Sequence, residues 1–160
     1  MSRHPIDQRL QDLAIELPPR TQPAGNYRPA VIHGNTLYLS GQFPVLNGVL
    51  RYQGVVGAAI STEDGYAAAR LAALNALAHI REETDGWRRF GAMIRLDGYI
   101  ASAPGWFDQP RVLDGASDLF AELLGAQGEH ARSVVSCTQL PLNAALELVV
   151  TVGLTQAAVS

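Results

Sequence analysis

Gly128-Glu129-His130-Ala131-Arg132-Ser133-Val134-Val135-Ser136-Cys137-Thr138-Gln139-Leu140-Pro141-Leu142-Asn143-Ala144-Ala145-Leu146-Glu147-Leu148-Val149-Val150 is the stretch on which the fold turns. Two apolar runs flank a Leu140-Pro141 turn and read as the last two strands, Ser133 to Gln139 and Ala144 to Leu154. Each run carries a charge out of place. Arg132 stands at the mouth of the first, and Glu147 interrupts the second between Leu146 and Leu148. A carboxylate inside such a run is rarely buried unless it is paired, hydrogen-bonded or working. Arg132 is either a surface ion pair or a clamp for a carboxylate, which a guanidinium matches with two parallel hydrogen bonds. Glu147 is either half of a buried salt bridge or a working group.

Outward from that stretch the chain alternates clearly. Ile6, Leu10, Leu13, Ala14 and Leu17 fall at helical spacing, so Pro5 to Leu17 reads as a short amphipathic helix stopped by Pro18-Pro19. Residues 20–25 read as a loop. Asn26 to Ile32 and Thr36 to Ser40 read as a hairpin across His33-Gly34-Asn35, with Gly and Asn supplying positive φ. Gly41 to Gly48 reads as a loop, Val49 to Tyr52 as a short strand and Val55 to Ile60 as an extended edge. Ser61-Thr62-Glu63-Asp64 resembles a capping box and opens a helix that runs to about Arg81. Glu82 to Arg89 is polar loop, and Phe90 to Ala101 is strand. Asp108 and Pro110 open a second long helix that Gly125 closes.

This order predicts an α+β fold with two main helices on one face of a mixed sheet, plus the short N-terminal helix. Val134, Val135, Leu146, Leu148 and Val150 are expected on both sides of that sheet. A sheet apolar on both faces, with helices for only one, implies that other subunits cover the second. One domain spanning 1–160 is expected, with 1–24 as a helix-and-linker extension.

Composition narrows the function classes. The 160 residues are 48% hydrophobic and 17% charged, with a formal net charge of −3. All 12 basic residues are arginines, and they are scattered. No basic stripe of the kind nucleic acid requires is visible, so no nucleic-acid partner is expected. No apolar run approaches the ~20 residues of a membrane helix, and the leading residues are polar, so a cytoplasmic setting and no membrane partner are expected. The single cysteine, Cys137, lies in an apolar strand and reads as a small buried hydrophobe. His4, His33 and His79 are scattered among a tail, a turn and a helix, and nothing gathers them for metal. His130 lies close to Arg132 and either lines the same cleft or belongs to a connecting loop. Tyr27 is either the aromatic wall of a pocket or a strand residue. Trp87 and Trp106 read as loop packing.

Three spaced blocks carry a resemblance. Gly25-Asn26-Tyr27-Arg28-Pro29-Ala30-Val31, Leu37-Tyr38-Leu39-Ser40-Gly41-Gln42-Phe43-Pro44, and Ala131-Arg132-Ser133 followed by Leu140-Pro141 and Leu146-Glu147-Leu148 occur in order. Together they resemble the Rid (YjgF) family of reactive-intermediate deaminases, often labelled endoribonuclease L-PSP-like, over roughly residues 25–152. Asp114-Gly115-Ala116-Ser117-Asp118-Leu119 and Gly128-Glu129-His130 look like a branch distinct from the founding deaminases.

The resemblance implies a chorismate-mutase-like fold and a homotrimer with three clefts between subunits. It implies hydrolysis of a small, carboxylate-bearing enamine or imine to a 2-keto acid and ammonia, without metal or cofactor. Arg132 then holds the substrate carboxylate, and Glu147 directs the water. Tyr27, Ser40 and Gly41 line the cleft, with Asp114, His130 and Val134 at positions where this chain departs from the family pattern. A non-catalytic trimer that binds a keto or amino acid, and a ribonuclease, are the competing expectations.

Overall fold

The chain is described here by a computed structural model covering residues 3–156. Met1 and Ser2, part of the polar leader, and residues 157–160 lie outside the described residues. Helix α1 spans Pro5–Asp12, with Ile6 and Leu10 buried. It ends earlier than the apolar spacing predicts because Ala14 takes a left-handed φ of 51°. The Ile15 amide then donates to the Leu10 carbonyl and the Ala14 amide to that of Gln11, which is a Schellman ending.

Strands β1 (Ala30–His33) and β2 (Thr36–Leu39) form the expected hairpin, with positive φ at Gly34 but not at Asn35. The expected loop over 41–48 is partly strand. Val45–Leu46 (β3) pairs with Val49–Leu50 (β4) across Asn47 and Gly48, whose φ values of 52° and 76° suit a tight two-residue turn. Helix α2 follows as Thr62–Glu83, with Ser61 Oγ accepting the Asp64 amide at 3.0 Å. Strand β5 is Phe90–Ala101 and helix α3 is Gln109–Leu124, closed by Gly125 at φ 57°. Strands β6 (Ala131–Cys137) and β7 (Leu146–Leu154) complete the set.

The main sheet runs β1-β2-β7-β5-β6, with β6 parallel to β5 and the other pairs antiparallel. Both long helices lie on one face. Along β7, Leu146, Leu148, Val150, Val152 and Leu154 are buried, while Glu147, Val149, Thr151 and Gly153 alternate with them. Leu146, Leu148 and Val150 share the helix-covered face, as residues two apart on a strand must, with Val134 against the same core, so of the five apolar residues only Val135 supplies the other side. The uncovered face is still partly apolar, exposing Val31, Tyr38, Tyr99 and Val135.

Gly115 sets how closely α2 and α3 approach. A Cβ there would lie 2.1 Å from the Tyr66 carbonyl oxygen. The alanines of α2, including Ala68, Ala69, Ala72 and Ala73, are buried where the helix meets the core. Trp87 is more than loop packing. It is buried, and its indole N–H donates to Asp7 at 2.9 Å, alongside Arg81. Cys137 is half-buried at the end of an edge strand rather than in the core.

Candidate active site

Register decides where Arg132 and Glu147 point. Arg132 pairs with Leu96 of β5, which is fully buried on the helix side. Glu147 pairs with Tyr99, three residues further along β5, which faces outward. Paired residues share a face and odd steps along a strand change it. The two charges therefore stand on opposite faces of the sheet, and one chain cannot bring them to a common atom.

The first group gathers at the seam between α3 and β6. Arg132 Nη2 lies 2.8 Å from Asp114 Oδ1, and its Nη1 donates to Ser117 Oγ at 3.0 Å. His130 Nδ1 lies 2.6 Å from the Gly128 carbonyl, which can only accept, so Nδ1 carries the proton. Its Nε2 lies 2.9 Å from the Ser117 hydroxyl. The imidazole also stands edge-on to Phe120 at 5.7 Å. Ser117 thus links Arg132 to His130 and fixes the guanidinium from a second direction. A shallow cleft of about 410 Å³ opens here, lined by Ser117, Asp118, Glu129, His130 and Arg132. Val134 follows Arg132 on the same side of β6 and packs against the core.

Glu147 anchors the second group. Its carboxylate lies directly over Gly41: a Cβ at that glycine would sit 1.7 Å from Oε1. Gln42 exchanges backbone hydrogen bonds with Leu148 at 2.8 and 2.9 Å, which pins residues 40–42 beside Glu147. Ser40 Oγ donates to the Arg28 carbonyl at 2.6 Å. Tyr27 is about half exposed, and its hydroxyl accepts the Ala24 amide at 3.2 Å. A cleft of about 600 Å³ is lined by Tyr27, Gly41, Phe43 and Leu142, with the linker residues Arg20 and Thr21 on its wall.

The electrostatics of the two groups differ. Arg132 is already partnered by a carboxylate. Glu147 forms no ion pair among the described residues, and partial burial pushes its carboxyl above the ordinary glutamate value. Of the alternatives open from sequence, Arg132 does make an ion pair, while Glu147 has no salt bridge to a neighbouring strand among the described residues. Among the described residues, no three His, Cys, Asp or Glu side chains gather in a way that could hold a metal ion, and no helix is long and apolar enough to cross a membrane.

Sequence reasoning did not find Ser117. Its signal was present, since it falls three residues after Asp114 and so on the same helix face. It also missed the linker at residues 19–24 as a wall of the second cleft.

A family model described as "YjgF/chorismate_mutase-like, putative endoribonuclease" matches residues 7–153. The chain belongs to the YjgF/chorismate-mutase-like family. Protein TCP17 of Trypanosoma cruzi is 36% identical to this chain over 140 residues, covering 87% of this chain and 88% of that protein. The crystal structure of a "putative endoribonuclease" from Shewanella oneidensis MR-1 is 38% identical, with a TM-score of 0.89 over 92% of this chain and 98% of that one. The Escherichia coli YjgF gene product shares the fold at 22% identity, with a TM-score of 0.62 over 86% of this chain and 93% of that one. This chain is thus closer in sequence to the Shewanella oneidensis protein than to YjgF itself.

Proposed function

We propose that this YjgF-like protein hydrolyses a small, carboxylate-bearing enamine or imine to a 2-keto acid and ammonia. The observation that carries the reading is Glu147, a half-buried carboxylate with a raised pKa and no ion-pair partner among the described residues. A purely structural glutamate between Leu146 and Leu148 would be expected to have a partner. An unpaired one packed over a glycine is free to direct a water.

In this reading the active cleft forms between two chains. Arg132 of one, steadied by Ser117 and Asp114, meets Glu147, Gly41, Ser40 and Tyr27 of the next. A homotrimer would supply three such clefts, and the apolar residues on the uncovered sheet face give it a contact surface. The guanidinium holds the substrate carboxylate. Glu147 takes a proton from water as the oxygen bonds to the electrophilic imine carbon. Return of that proton to nitrogen, and loss of the hydroxyl proton to the Glu147 carboxylate, then let the carbon–nitrogen bond break, releasing ammonia and leaving a carbonyl. Positioning and one general base suffice because an iminium carbon is already activated.

The ribonuclease reading has little support in the charge pattern. Arg20, Arg70, Arg81, Arg88, Arg95 and Arg132 each pair with an acid, and the net charge is −3. The test is ammonia release from 2-iminopropionate generated in situ. Wild-type protein should accelerate it, and Arg132→Ala should lose most of the acceleration. Equal rates for the two proteins would overturn the role of Arg132. Binding of 2-oxobutyrate without any imine turnover would make the protein a ligand binder instead.

A further inference from the structure

Arg132 is an unusual clamp for a simple anion, because a carboxylate is already on it. Asp114 Oδ1 stands 2.8 Å from Nη2. Ser117 takes a hydrogen from Nη1. Of the five guanidinium N–H groups, three stay available for a ligand. Asp114 keeps nearly half of its side-chain surface exposed, and its Oδ2 has no hydrogen-bond partner among the described residues. An open anion and an open cation therefore sit side by side.

The surrounding charges point the same way. Asp118 and Glu129 line the cleft beside Arg132, and Asp114 pairs with the guanidinium from the adjoining cleft that it lines with Tyr66 and Arg111. A keto acid brings only a negative charge into that field. It would gain the guanidinium and meet the neighbouring carboxylates without compensation. A ligand with a cationic nitrogen two bonds from its carboxylate carbon can use both halves of the ion pair. Its carboxylate goes to Arg132 and its nitrogen to Asp114 Oδ2.

We infer that the Arg132 half-site selects ligands carrying both a carboxylate and an adjacent cationic nitrogen, and that Asp114 is the residue that reads the nitrogen. This rests on the reading of Arg132 as the ligand clamp. Under it, substrate and product are told apart by charge: an iminium acid binds through two contacts, whereas the keto acid made from it keeps only one and leaves. Asp114 is then a specificity-determining residue as well as a support for the guanidinium.

The test compares two ligands of one carbon skeleton, L-2-aminobutyrate and 2-oxobutyrate, by calorimetry on the intact assembly. Wild-type protein should prefer the amino acid. Asp114→Asn, which keeps size and shape, should lower the amino-to-keto affinity ratio by about tenfold, chiefly by weakening the amino acid. Ser117→Ala removes the other support of Arg132 and should move both affinities together, leaving the ratio unchanged. A parallel loss of both ligands in Asp114→Asn would show that Asp114 only positions Arg132, and would overturn the inference while sparing the clamp. Affinities unaffected by Arg132→Ala would instead remove the clamp itself.

Discussion

Glu147 concentrates the argument at the scale of single residues. Its neighbours Leu146 and Leu148 are fully buried, and alternation along β7 turns it to the other face, over Gly41. Burial raises its pKa, so the ionised form is less favourable in the folded chain than in the unfolded one. The sign follows for stability. Ionised Glu147 costs folding free energy at neutral pH, and that cost disappears as pH falls through the raised value toward the ordinary glutamate range. Glu147→Gln should therefore melt slightly higher than wild type at neutral pH, with the difference vanishing in acid, while imine hydrolysis is lost. In the wild type, turnover should fall with decreasing pH through the raised value of Glu147, earlier than an ordinary glutamate would require. A Glu147→Gln protein that keeps wild-type turnover would contradict the role. The odd position of Glu147 was legible in sequence because strand alternation is local. The pairing of Arg132 with Asp114 was not, because it joins a helix to a strand across tertiary space.

At the scale of elements, α3 carries the guanidinium's partners, so its placement matters to the site. Asp114 and Ser117 flank Gly115, and that glycine lets α3 press against the Tyr66 carbonyl of α2. Gly115→Ala should force the helices apart. Overpacking of this kind costs about 1–3 kcal/mol, visible as a lower midpoint in urea. The same variant should weaken ligand binding at Arg132, since both partners of the guanidinium move with the helix. Unchanged stability would mean that the close approach of α2 and α3 does not constrain the fold. The limits of α3 were readable from Asp108, Pro110 and Gly125, and β5 from its run of β-forming residues. The β3–β4 hairpin is hard to read from sequence although Asn47-Gly48 is a strong turn signal, because its strands are only two residues each. The early stop of α1 was hidden, because alanine rarely takes the positive φ seen at Ala14.

At the scale of the whole molecule, the sheet separates the two groups of candidate residues. Asp114, Ser117, His130 and Arg132 lie on its helix side, and Glu147 over Gly41 lies on the other. The family resemblance names candidate site residues in the sequence but could not reveal this division, which depends on the register of β5 with both β6 and β7. An active cleft using both groups must be assembled from two chains. The most direct measurement mixes two defective proteins, Arg132→Ala and Glu147→Ala, dissociates them and lets them reassociate. Each alone should be inactive toward 2-iminopropionate. In mixed assemblies, clefts that draw Arg132 from one variant and Glu147 from the other would be intact, so an equal mixture should recover about a quarter of the wild-type rate. Mixed assemblies that form yet release no ammonia above the level of the separate variants would contradict a site shared between chains.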